Sequence, residues 1–96
     1  MCAEKQEYVM SKQMLRSGTS IGANIAEAFY AESDMDFVHK LSISQKEAGE
    51  IIYWLELLHE SDYLSGYEFE SINNDAEEII KLLTSSIKTV KAKLNH

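Results

Sequence analysis

Proline is absent from the 96 residues, glycine occurs four times and cysteine once. So few turn-forming residues exclude a many-stranded sandwich or barrel. The lone Cys2 excludes an intramolecular disulfide and fits a reducing, cytoplasmic setting. Positive charge is scarce: nine Lys/Arg stand against sixteen Asp/Glu, a net −7. That is the wrong sign for a chain that grips phosphate backbone over a broad surface. No apolar run approaches the roughly 18 residues of a membrane span and no signal peptide is visible, so no membrane partner is expected. Cys-x-x-Cys, P-loop, GxGxxG and nucleophile-elbow patterns are also missing, which leaves no framework for a cofactor or a catalytic centre.

What is present belongs to one small folded domain, residues 1–96. Apolar residues make up 45% and charged residues 26%, a balance that does not suit wholesale disorder. A domain this short leaves a thin stability margin. The charge is uneven. Residues 1–31 carry three of each sign, residues 32–63 carry eight acids against Lys40 and Lys46, and residues 64–96 carry five acids against four lysines. The acid excess sits in the middle segment.

Periodicity predicts three long helices, at about 7–31, 34–60 and 66–94. In the last, Phe69, Ile72, Ala76, Ile79, Leu83, Ile87, Val90 and Leu94 recur every three or four residues, which holds one stripe on a helix. Ser65 with Glu68 three positions on forms a capping-box pattern, and Lys88, Lys91 and Lys93 suit the negative end of the helix dipole. The middle segment opens on Ser33 and Asp36 and carries Phe37, Leu41, Ser44, Ala48, Ile51, Ile52, Leu55 and Leu58 as its stripe. The turn residues Ser61, Asp62, Ser65 and Gly66 predict that the second and third helices are antiparallel neighbours. In the first segment Met14, Gly18, Ile21, Gly22, Ile25, Ala26 and Phe29 share a face. Gly18, Gly22 and Ala26, four apart, form a small-residue ladder expected to admit another helix closely.

Two further faces stand out. On the middle helix Ile43, Trp54 and Leu57 lie to one side of the main stripe, together with Glu47 and Glu50. A lone tryptophan among aliphatics suits an interface, so this face is a candidate for self-association or for packing of another helix. Glu47 and Glu50 are expected to pair with Lys46 or Lys40 rather than to act as catalytic carboxylates. On the first helix Arg16, Ser20, Ala23, Asn24 and Glu27 make a compact back stripe. Glu56-Leu57-Leu58-His59 matches one Glu-x-x-His element of a di-iron bundle, but no second copy exists, so no metal is expected. His39 and His96 lack ligand-spaced partners.

The run Met14-Leu15-Arg16-Ser17-Gly18-Thr19-Ser20-Ile21-Gly22-Ala23-Asn24-Ile25-Ala26-Glu27-Ala28 resembles the signature of the four-helix-bundle proteins encoded in intervening sequences of 23S ribosomal RNA genes. The block from Asp36 to Ile43, with Glu47, Glu50 and Tyr53 to Leu58, is similar to the same family. The likeness spans about residues 8 to 90, and it includes Arg16, Asn24 and Glu27 as motif positions. It implies an all-α, antiparallel up-and-down bundle that assembles with copies of itself, a ring of five being known among such proteins. It implies no established enzymatic activity. A related branch, accessory proteins of diversity-generating retroelements, is basic and binds nucleic acid, and the charge of this chain weighs against that partner. Members usually carry a further amphipathic helix ahead of the segment that begins here. The expectations are therefore a truncated form, a helix supplied by a partner, or a face closed by oligomerisation.

Overall fold

The computed structural model describes residues 3–94, so Cys2 and His96 lie outside the described residues. The chain folds into α1 (Ala3–Phe29), α2 (Asp34–Glu60) and α3 (Gly66–Leu94), with no strand among the described residues. The first helix begins earlier than its periodicity predicts and ends two residues sooner, where Tyr30 N–H bonds the Glu27 carbonyl at 3.0 Å in a closing turn.

The ends of α2 and the start of α3 are set by local chemistry. Ser33 adopts an extended backbone, and its hydroxyl accepts the Asp36 amide at 3.0 Å. At the start of α3 the exchange is reciprocal. The Glu68 amide donates to the Ser65 hydroxyl at 3.1 Å, and the Ser65 amide donates to the Glu68 carboxylate at 3.0 Å. Four helix-start amides have no partner inside a helix, so a serine and an acid at this spacing stabilise the start. The α2 terminus closes through Asp62, whose φ of 64° places a non-glycine residue in the left-handed region. Tyr63 N–H then reaches back to the Leu58 carbonyl at 2.9 Å, capping the final turn.

Helix α2 is the centre of the fold, and both other helices pack on it. No Cα of α1 lies within 8 Å of one in α3 among the described residues. The result is a slab of 53 × 21 × 16 Å. Leu55 is fully buried, with Leu41, Ser44, Ala48 and Leu58 on the same stripe of α2. Ala28, Leu41, Leu83 and Ile87 form a core cluster drawn from all three helices near one end.

The seam between α1 and α2 is built from small residues. Met10, Ser17, Ile21 and Ala28 of α1 are buried, spaced 7, 4 and 7, with Ile21 against Ser44 and Ala28 in the cluster with Leu41. The Ser44 hydroxyl donates to the Ile21 carbonyl at 3.0 Å, which satisfies a buried polar group across the seam. The Gly18, Gly22 and Ala26 ladder lies outside the α1–α2 seam. All three residues are exposed. A Cβ on Gly18 would make ordinary contact with Ile51 at 3.9 Å, and one on Gly22 would meet open space. Short side chains suit a close seam, but Ser17 and Ala28 fill that role with Ile21 between them. The glycine ladder lies about a quarter-turn around the helix.

Candidate functional site

Two surfaces carry the residues that the sequence singles out. The first is the polar edge of the α1–α2 seam. One α1 face holds Arg16, Ser20, Asn24 and Glu27, and its charged ends reach across to α2. Arg16 Nη2 donates to Glu50 Oε2 at 3.0 Å, and Arg16 Nη1 lies 3.6 Å from Glu47 Oε2. The buried Ser17 hydroxyl also donates to Glu50, at 3.4 Å. Farther along, Lys40 Nζ meets Glu27 Oε2 at 2.9 Å. Asn24 instead bonds within its own helix, donating to the Ser20 carbonyl at 2.9 Å.

These pairings correct the expectation that Glu47 and Glu50 would pair with Lys46 or Lys40. Lys46 lies about 100° around α2 from Glu47 and is exposed. Lys40 is held by Glu27, whose hydrogen bond and charge, with some help from Asp36, raise its pKa above the ordinary lysine value. The Arg16 guanidinium can span two carboxylates one turn apart, which a lysine point charge does less well. The arrangement braces two helices. Each pair keeps at least one partner more than half exposed, so solvent screens it and it contributes modestly to stability.

The remaining members of the second α2 face are not bare. Ile43, Trp54 and Leu57 are half-buried, like Glu47 and Glu50. Tyr53 packs edge-on against Trp54, with ring centroids 5.1 Å apart. The His59 ring stacks on Phe69 of α3 at 4.6 Å and 11°, while Glu56 is exposed. No group of three metal-ligating side chains occurs among the described residues. No helix among them is long and apolar enough to cross a membrane.

The second surface is the open side of the slab, between α1 and α3. On α1, Tyr8, Leu15 and Phe29 are 63%, 71% and 80% exposed. On α3, Ile72, Ile79 and Leu82 are exposed, the last at 64%. Ile25, Phe29, Phe37, Leu41, Leu82 and Leu83 line an apolar recess where the three helices converge. Ile72 and Ile79 belong to the predicted α3 stripe, yet only Ala76, Leu83 and Ile87 of α3 are buried. The stripe is wider than α2 alone can cover.

The 23S rRNA-intervening sequence protein family matches this chain over residues 1–85. The chain belongs to that family. A crystal structure of a protein of unknown function from the S23 ribosomal protein family of Bacteroides thetaiotaomicron VPI-5482 is 60% identical to it, with a TM-score of 0.83. The similarity covers 90% of this chain and 77% of that one. A comparison with curated proteins finds no match.

Within this family member the motif residues Arg16 and Glu27 lie at the α1–α2 seam, and Ala26 lines a recess with Glu27, Asp36 and Lys40. Sequence reasoning passed over Ser17, fully buried beside Arg16, and the open-side residue Leu82. The 7-4-7 spacing of Met10, Ser17, Ile21 and Ala28 was a signal for the first. A serine carries little weight in a hydrophobic pattern, so the signal is weak.

Proposed function

We propose that this family member is a non-catalytic helical scaffold that assembles with copies of itself. Its helices run antiparallel, up and down. Two sets of pairings support this arrangement: Glu27 with Lys40, Ile21 with Ser44 and Arg16 with Glu50, then Gln45 with Thr84 and His59 with Phe69. In each set residue numbers rise on one helix as they fall on the next. A cytoplasmic location fits the single cysteine.

The observation that carries the scaffold reading is the exposure of Leu15, Phe29 and Leu82, at 71%, 80% and 64%, on one side of a small domain. Large apolar side chains this exposed, with Phe29 and Leu82 lining one apolar recess, suit an interaction site. The charged residues offer no comparable convergence: Arg16, Glu50, Lys40 and Glu27 are engaged in tying α1 to α2. Light scattering on the 96-residue chain tests the reading. A mass above that of one chain at about 10–100 μM is expected, and a well-folded monomer throughout that range would sink it.

A second experiment separates the nucleic-acid alternative. With a net charge of −7, no complex with generic single- or double-stranded RNA is expected at physiological salt. Lys81 and Lys88 flank a shallow recess on α3 and are the residues to test first. An RNA complex that weakens with salt and vanishes in Lys81→Glu/Lys88→Glu would favour the nucleic-acid reading instead.

A further inference from the structure

We infer that the recess beside the α1–α2 turn is a docking site for an arginine side chain presented by a basic segment of another protein. None of Leu15, Phe29 and Leu82 lines this recess, so the inference goes beyond the self-assembly reading and does not depend on it.

The ends of two helices hold the recess in shape. Ala26, Glu27 and Tyr30 come from the end of α1 and its closing turn, Glu32 from the connection, and Asp36 and Lys40 from α2. The Tyr30 and Ala31 amides donate to the Glu27 and Ala28 carbonyls, and the Ser33 hydroxyl accepts the Asp36 amide. Backbone fixed in both walls leaves little ordering to be done when an occupant arrives.

The charge of the lining selects a cation. Three carboxylates share the recess with one ammonium. That ammonium, on Lys40, is engaged by Glu27 at 2.9 Å, and no ion pair reaches Glu32 or Asp36 among the described residues. Asp36 acts on Lys40 at longer range and sits in the first turn of α2, where the helix dipole accounts for an acid. Neither account extends to Glu32, which precedes the cap residue Ser33.

The other lining groups select the shape of the cation. Tyr30 is 87% exposed, the most of any large apolar or aromatic side chain among the described residues, so its ring offers a free face on one wall. A guanidinium is planar, stacks on an aromatic face and forks onto a carboxylate, whereas an ammonium is a strongly hydrated point charge. A metal ion suits the recess less well, because the Lys40 ammonium would face it. The recess is shallow, so its occupant gains from being carried on a chain that adds contacts outside. Met35, next to Asp36 in α2, is exposed and offers an apolar contact to residues flanking the arginine.

An NMR titration of the isotope-labelled 96-residue chain tests the assignment. The probe is a blocked heptapeptide, GKLRLKG, with versions carrying lysine or citrulline at the centre. The arginine peptide is expected to bind with a Kd below about 1 mM, at least about 3-fold more tightly than the lysine peptide of equal charge, and the citrulline peptide more weakly than either. Its shifts should centre on residues 26–40. Glu32→Gln and Tyr30→Ala change exposed side chains, so the fold should survive, which circular dichroism checks. Each is expected to weaken the complex about 3-fold, while Glu78→Gln on α3 leaves it unchanged. Equal binding of the arginine and lysine peptides, unaltered in Tyr30→Ala, would overturn the assignment and leave only general attraction to a chain of net charge −7. Shifts that do not saturate by about 5 mM peptide would overturn it as well. Either result leaves self-assembly, read by light scattering, untouched.

Discussion

Helix α2 has two neighbours and holds them by different means. Against α1 it presents Ser44, with the buried Ala48 one helical turn on, and the seam is hydrogen-bonded and edged by ion pairs. Against α3 it presents larger side chains. Leu41 meets Leu83 and Ile87, and the Gln45 amide donates to the Thr84 hydroxyl at 2.7 Å across the seam. The first seam depends on small volume and satisfied polar groups, the second on buried apolar volume. Opposite kinds of substitution should therefore break them.

The largest effect is expected at the α3 seam. Leu83→Ala removes a buried side chain from the only cluster shared by all three helices among the described residues, and should destabilise by about 2–5 kcal/mol in urea unfolding. A loss below about 1 kcal/mol would mean that α3 is held by something other than that cluster. At the α1 seam the damaging change is addition. Ala48→Leu has no space at a position 1% exposed, and should cost about 1–3 kcal/mol by overpacking. Should Ala48→Leu prove neutral, the two seams would not differ in the way described.

A smaller effect of opposite sign separates the two sides of α1. Gly22→Ala, which meets open space, should stabilise the helix by about 1 kcal/mol, measured at concentrations too low for self-association. If the ladder instead packed another helix of the same chain, this change would destabilise. The smallest effect concerns the joint between α2 and α3. Hydrogen bonds from the Ser65 backbone and then its side chain hold the Glu68 carboxyl below the ordinary glutamate value. A depressed folded pKa contributes stability above the unfolded value, and that contribution is lost as pH falls through the folded value. Glu68→Gln should remove this small part of the acid dependence and leave the rest of the curve unchanged; an identical curve would assign the dependence to other carboxylates.

Legibility followed the range of the interaction. The caps at Ser33 and Ser65 span three residues, so the sequence states both partners side by side. The buried stripe of α2 was equally plain, because 3.6-residue periodicity reports a face directly. Which face of α1 meets α2 was not legible for a definite reason: Gly18 and Gly22 satisfy a steric criterion for close packing as well as Ser17 and Ala28 do. The Arg16–Glu50 pair joins residues 34 positions apart, and nothing local distinguishes Glu50 from the other acids of that segment.

By itself, then, the sequence determined three helices, the starts of α2 and α3 and the stripe on which α2 packs, since propensity, capping and periodicity act within a few residues. Family membership was likewise carried by two blocks of residues within α1 and α2. Only the tertiary structure decided which side of α1 is buried, which carboxylates Arg16 serves and that the apolar face left open lies between α1 and α3. Those outcomes depend on how three rigid stripes divide one shared surface. Each stripe is wider than its neighbour can cover, and only their packing shows which edge remains uncovered.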